Sequence, residues 1–295
     1  MRRAARSAIT TALLGLSVLA AATAAYSGAS AAERSVQIKN AVARVIVVPS
    51  DRQDVKVVIR THSPDLPLKV SRKGDTLVID GDLRWNRIRN CRGAGDKASV
   101  DVRGIGTVGF ARMPEIIIYS PRKVDLSVGG AVFGSIGRAA SVEFANAGCG
   151  DWTIANVAGR LDISQAGSGN VQAGSAGALD LSVAGSGDTR TQGVTGKADI
   201  SIAGSGDVRM ARLDGPLDVS IAGSGDIRVY GGKTGKVDVS IAGSGDIRIA
   251  GEAASVDASF MGSGDVWVTR VNGSVSKSVM GSGGVHVGPF DMDRN

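Results

Sequence analysis

The string Ala-Gly-Ser-Gly-Asp returns through the second half of the chain at almost constant intervals, and no other feature restricts the fold as tightly. Aligned on their Gly-x-Gly, the copies begin at Ala147, Ala166, Ala184, Ala203, Ala222, Ala242, Met261 and Met280, in steps of 19, 18, 19, 19, 20, 19 and 19 residues. A fixed period of this kind marks a solenoid, each copy supplying one coil. Within a copy the alternation is two-fold. Val237, Val239 and Ile241 share one face and Asp238 and Ser240 the other; past the corner, Ile247 and Ile249 point in and Arg248 points out. That is the period of a strand, and helical spacing is absent.

Each unit therefore reads as a strand, a Gly-Ser-Gly corner, a second strand and a looser segment ending in Gly. Val157, Val194, Leu213 and Val271 in that looser segment predict a third, shorter inward face. Parallel coils stack about 4.8 Å apart, so equivalent residues form columns. One inward column should hold Leu126, Phe144, Ile163, Leu181, Ile200, Val219, Val239 and Ala258. This core needs few aromatics, which accounts for a chain that is 43% hydrophobic but only 4% aromatic, with 42 glycines. A single coil cannot bury its own apolar stripe, so stability should come from stacking on neighbours.

The corner glycines expected to matter are Gly185 and Gly187, Gly204 and Gly206, Gly223 and Gly225, and Gly243 and Gly245. Two reasons support a structural reading of them. A sharp reversal favours positive φ, which glycine adopts without a Cβ penalty, and bare backbone lets corners stack closely.

Outward acids form two columns. Asp125, Glu143, Asp162, Asp180, Asp199, Asp218, Asp238 and Asp257 precede the corner, and Asp151, Asp188, Asp207, Asp226, Asp246 and Asp265 follow it. Like charges about 4.8 Å apart repel by about 0.9 kcal/mol even in water. Arg190, Arg209, Arg228 and Arg248, each two residues beyond a corner acid, are placed to supply counter-charge. As exposed pairs they should contribute about 0–1 kcal/mol each. A calcium β-roll is the competing account, but such repeats separate glycine from Asp and occur twice per coil. Here Asp follows Gly directly, beside arginine. An ice-binding face would need flat Thr columns.

Signals for catalysis are weak. His62 and His286 are far apart in sequence and belong to no ligand cluster. "GGKTGK" at Gly231 has Ile227 where a phosphate-binding loop needs its first glycine, and Gly-x-Ser-x-Gly strings arise trivially from the corners. Asn146 and Gln165 interrupt the apolar face in adjacent coils; the expectation is that their amides bond to each other and to backbone. No cofactor or metal is called for.

The first residues, "MRRAARSAITTALLGLSVLAAATAAYSGASAAER", combine Arg2, Arg3 and Arg6 with an apolar stretch and small residues at Ala29 and Ala31. They read as an export signal spanning residues 1–31, a single membrane-spanning helix being the alternative. Loss of its three arginines lowers the formal charge from +6 to +3, too little to imply a nucleic-acid partner. No later stretch is apolar enough to span a bilayer. Cys91 and Cys149 would then meet an oxidising compartment, where a disulfide is permitted; the sequence leaves their pairing open.

Residues 32–123 continue the β pattern less regularly, as an irregular cap joined without a linker to repeats at 124–290 and a polar tail at 291–295. "RWNRIRNCRGAGDK", from Arg84 to Lys97, reads as a basic loop. Here "DTLVIDG", "MPEIIIYSPRKVDLSVGGAVFGSI" and the ladder of "GSGD" corners together resemble the auto-transporter adhesin head GIN domain family over about residues 35–290. The resemblance implies a right-handed parallel β-helix, shaped like the pectin lyases but without conserved catalytic residues, and a role in surface adhesion. The chain is thus expected to be an all-β, exported, non-enzymatic solenoid of the cell envelope: periplasmic, cell-surface or secreted. Its ligand would be a carbohydrate or a protein, and a homo-oligomer is left open. The alternatives are a carbohydrate-active enzyme on the same shape and a calcium-dependent assembly module.

Overall fold

The computed structural model describes residues 34–292; the expected export signal at 1–31 and the last three residues of the polar tail lie outside the described residues. Residues 123–287 wind into a parallel β-solenoid of about nine turns with about 19 residues per turn. The register follows the repeat. Leu126, Phe144, Ile163, Leu181, Ile200, Val219, Val239 and Ala258 lie opposite one another in succession, and none is more than 6% exposed. A second wall stacks Val171, Thr189, Val208, Ile227, Ile247 and Val266. Single bridges through Ala139, Val157, Ala176, Val194 and Leu213 make the third. Trp152 fills one early corner, its ring 4.8 Å from that of Phe144 and its indole N–H donating to the Val132 carbonyl at 2.8 Å.

The N-terminal segment stacks out of chain order. Strand β1 (Ser35–Ser50) bends at Asn40, where φ is +52°, and spans two walls. On one side it pairs with β9 (Lys123–Ile136) from Val36 to Val47, with a bulge between Ile38 and Ala41. Its other side pairs first with β4 (Thr76–Asp80) and then with β8 (Glu115–Pro121). Strand β1 is thus a coil of the stack, bulged near Asn40, with coils on both sides of it, where an irregular cap was expected. The capping falls to β2 (Lys56–Thr61) and β3 (Lys69–Lys73), which pair antiparallel with β8 and β4. They occupy the edge that a parallel stack would otherwise leave open.

The expected loop at 84–97 is also more ordered than its sequence implies. It contains β5 (Ile88–Arg92), which joins β6 (Ser99–Val102) and β7 (Gly106–Gly109) in a three-stranded antiparallel flap. Val100, Val102 and Val108 bury against Val42, Ala131 and Phe133 on the outside of the solenoid wall. Strand β5 is the edge of this sheet and turns Arg89, Asn90 and Arg92 toward water, so it carries no apolar alternation to announce it.

At the far end, Val275–Gly281 and Val285–Val287 pair only with the coil before them among the described residues. Val275, Val279, Met280 and Val287 are exposed there. Phe290 does not close the core; its ring lies 6.2 Å from that of Trp267. No helix among the described residues is long and apolar enough to cross a membrane.

Candidate functional site

The repeated corner is held by contacts between coils. A Cβ added to Gly225 would come within 2.3 Å of the Gly206 carbonyl oxygen, and one on Gly206 within 2.4 Å of that of Gly187. Gly185, Gly187, Gly204, Gly223, Gly243 and Gly245 meet the preceding corner at 2.1–2.3 Å in the same way. Only Gly223 and Gly243 of these eight have φ in the range that disfavours side chains, at +151° and +149°. Close approach of one corner to the next is the general reason for glycine, and the positive-φ argument applies at just those two positions.

The corner acids bind the next coil. The amide of Asp207 donates to Asp188 Oδ1 at 3.1 Å, that of Asp226 to Asp207 at 3.0 Å, that of Asp246 to Asp226 at 2.9 Å and that of Asp265 to Asp246 at 2.9 Å. The column extends in both directions: the Asn170 amide reaches Asp151 at 2.8 Å, the Asp188 amide reaches Asn170 Oδ1 at 3.0 Å, and the Gly284 amide reaches Asp265 at 2.8 Å. Each carboxylate thereby satisfies a backbone donor that the change of direction leaves without a strand partner. Sequence reasoning missed this ladder, although a signal was present. Where the column departs from Asp it has Asn170, which keeps an acceptor oxygen, and among the described residues it ends in Gly284, which accepts from no further coil.

Arginines bridge successive rungs of the ladder. Arg209 reaches Asp188 at 3.1 Å and Asp207 at 2.8 Å; Arg228 reaches Asp207 at 3.5 Å and Asp226 at 3.0 Å. Arg248 lies 3.0 Å from Asp246 and 4.0 Å from Asp226. Exposed pairs were expected, but Arg228 and Arg248 are only 7% accessible; Arg190, 3.8 Å from Asp188, is the exposed member. Stacking long side chains on top of one another desolvates those inside the column. Such pairs cost more to break than surface pairs, because a charge is left behind. The column continues in register through Trp267 to His286. Their rings stack at 4.0 Å, and His286 Nε2 lies 3.1 Å from Asp265.

The acid column before the corner has its own cations, also missed from sequence. Lys197 lies 3.2 Å from Asp199 and 2.6 Å from Asp218, Lys236 lies 2.6 Å from Asp238, and Arg160 spans Asp162 and Asp180. Asp125 has no such partner among the described residues. Partial desolvation, and then the charge of Glu143 one coil on, push its carboxyl above the ordinary value.

The remaining candidates fall apart in space or take structural roles. Asn146 and Gln165 do not bond to each other. Asn146 donates to the Gly150 carbonyl at 3.2 Å, Gln165 donates to that of Gly169, and Gln165 accepts from Thr189 at 3.4 Å. "GGKTGK" runs into the strand Lys233–Gly243 with Thr234 buried, so it forms no phosphate loop. Among the described residues no three His, Cys, Asp or Glu side chains gather as a metal site would require. Cys91 and Cys149 form a disulfide with Cα atoms 5.9 Å apart, tying flap strand β5 to the corner that precedes Asp151.

Comparison with known proteins gives little at the level of close relatives, and no curated protein matches. A crystal structure of a "putative adhesin" from Bacteroides fragilis shares 19% identity, over 88% of this chain and 94% of that one, with a TM-score of 0.39. At the level of families the result is definite, and it meets the fold just described. The profile of the family described as "Putative auto-transporter adhesin, head GIN domain" matches residues 36–253 and again 215–288, and the chain belongs to that family.

Proposed function

We propose that this adhesin-like β-solenoid is an exported, non-enzymatic module of the cell envelope that presents its outer faces to a carbohydrate or protein on a surface. The engagement of the corner acids carries this reading. Asp188, Asp207, Asp226 and Asp246 each accept a backbone amide and face arginine. The acids that recur at every corner therefore hold coils together, which suits a rigid display scaffold better than acid–base chemistry. A stack of this kind offers long faces on which the same side chains recur, the surface that solenoid binders use. Family membership points the same way. Fractionation of native cells, combined with protease applied from outside, tests the placement. The chain should be found in envelope or medium, beginning between Ala29 and Glu33; cytosolic protein retaining Met1 contradicts it.

A further inference from the structure

We propose that the cleft between the flap and the outer face of the solenoid binds one pyranose unit of a neutral saccharide. This rests on the reading of the chain as an adhesin-like binder and adds a site and a ligand class to it. The cleft encloses about 320 Å³, near the lower end of small-molecule sites, about 300–1,000 Å³. Its floor is a strand lattice: Ile46, Ser135 and Thr153 lie opposite one another on three successive coils. Phe110 and Gly95 of the flap segment form the facing wall.

The charged groups of the lining are the Arg44–Glu115 pair at one end and the Asp151 carboxylate at the other. Arg44 Nε is shut off from water and meets Glu115 at 3.4 Å, while its guanidinium carbon lies 5.6 Å from the Phe110 ring centroid. Glu115 is also held by Arg60 at 3.2 Å. Among the described residues, the terminal nitrogens of Arg44 donate no hydrogen bond. Asp151, two coils and so about 10 Å along the stack from Arg44, uses Oδ1 for the Asn170 amide and side chain. Its Oδ2 has no partner among the described residues.

Within the lining Arg44 pairs with Glu115, which Arg60 also holds from outside the cleft, and Asp151 is engaged by Asn170. A net anion would face two carboxylates, and a net cation would meet the Arg44 guanidinium. Vicinal hydroxyls, each both donor and acceptor, complement such a mixed lining, with Ser135 on the coil between those of Arg44 and Asp151 and Thr153 two residues beyond Asp151. The C–H faces of a sugar ring would meet Phe110 and Ile46, the latter 39% exposed. The Cys91–Cys149 bridge fixes the flap beside Asp151, so the wall is in place before a ligand arrives.

The test is titration of the full chain with the methyl glycosides of glucose, galactose, mannose and N-acetylglucosamine, read by saturation-transfer NMR and calorimetry. At least one should bind. Ser135→Trp, which fills the cleft, should abolish binding, while Arg44→Lys and Asp151→Asn should each weaken it about tenfold. Asp151→Asn keeps the ladder acceptor, so if Ser135→Trp melts early the Asp151→Asn titration decides alone. No binding by the parent chain, or binding that survives these changes, overturns the site. Adhesion to intact cells separates the two readings: adhesion unaltered by Ser135→Trp keeps the adhesin role and removes this site, whereas glycoside binding without adhesion does the reverse.

Discussion

Asp246 is tied to Asp226 and to its neighbour Ile227 in the preceding coil by two hydrogen bonds running in opposite senses. The Asp246 amide donates to Asp226 Oδ1 at 2.9 Å, and the Asp246 carbonyl accepts from the amide of Ile227 at 2.8 Å. Only the second is a bond that any sequence in this geometry would make. Asp226→Ala should therefore cost about 2–4 kcal/mol, because it orphans a backbone amide and strips Arg228 of its nearer carboxylate. Asp226→Asn keeps an acceptor and should cost less than half of that. Urea denaturation of both variants checks the order.

Facing along a strand gives a second contrast. Ile241 is buried in the stack and Ser240 beside it is exposed. Ile241→Asp should destabilise by several kcal/mol through an unpaired buried charge, and Ser240→Asp by less than about 1 kcal/mol. Equal melting temperatures would mean that the facing of this strand is wrong.

The inward columns were legible in the sequence because, in a repeat, neighbours in space are neighbours one period apart. Leu126 to Ala258 could be read off by counting. Strand β1 could not, since its partners β4, β8 and β9 follow it by 41, 71 and about 90 residues in the chain, and no period connects them. Strand β5 was hidden by its polar edge. The buried arginines escaped for a different reason: Arg228 alternates as an outward residue should, and its burial comes from the arginines stacked before and after it. The flap cleft draws Arg44, Phe110 and Asp151 from distant segments, and nothing in their spacing joins them.

Acid titration should reveal Asp125. Its carboxyl binds a proton more tightly in the folded chain than the ordinary value of 3.8. The contribution is fully present below that value and is lost as pH rises through the raised one. Asp125→Asn should then raise the melting temperature slightly at about pH 7, the effect reduced by solvent screening of an exposed group, and leave it unchanged at about pH 3. Asp80 runs the other way. The Asp82 amide, at 2.9 Å, holds its carboxylate below the ordinary value, so its contribution is present above that value and lost as pH falls. Melting curves of Asp125→Asn across this range test the sign.

Lys277 sits in register beneath Ala258 in the last coil, where the core column ends. It is exposed, on an edge paired from one side only among the described residues. Charges at such an edge oppose pairing with a further strand. Lys277→Val should leave the melting temperature nearly unchanged and increase association with concentration, as read by light scattering. A variant as monodisperse as the parent would make Lys277 an ordinary surface residue.

The claim that Gly-Ser-Gly-Asp holds coils together, and is not a ligand loop, is tested most directly by amide exchange at Asp246 and Asp265. Both amides should be protected in the parent chain, with or without calcium. In Asp226→Ala, protection should collapse at Asp246, whose acceptor is gone, and persist at Asp265, whose acceptor is Asp246. An unprotected Asp246 amide in the parent, or protection that rises when calcium is added, would contradict the account.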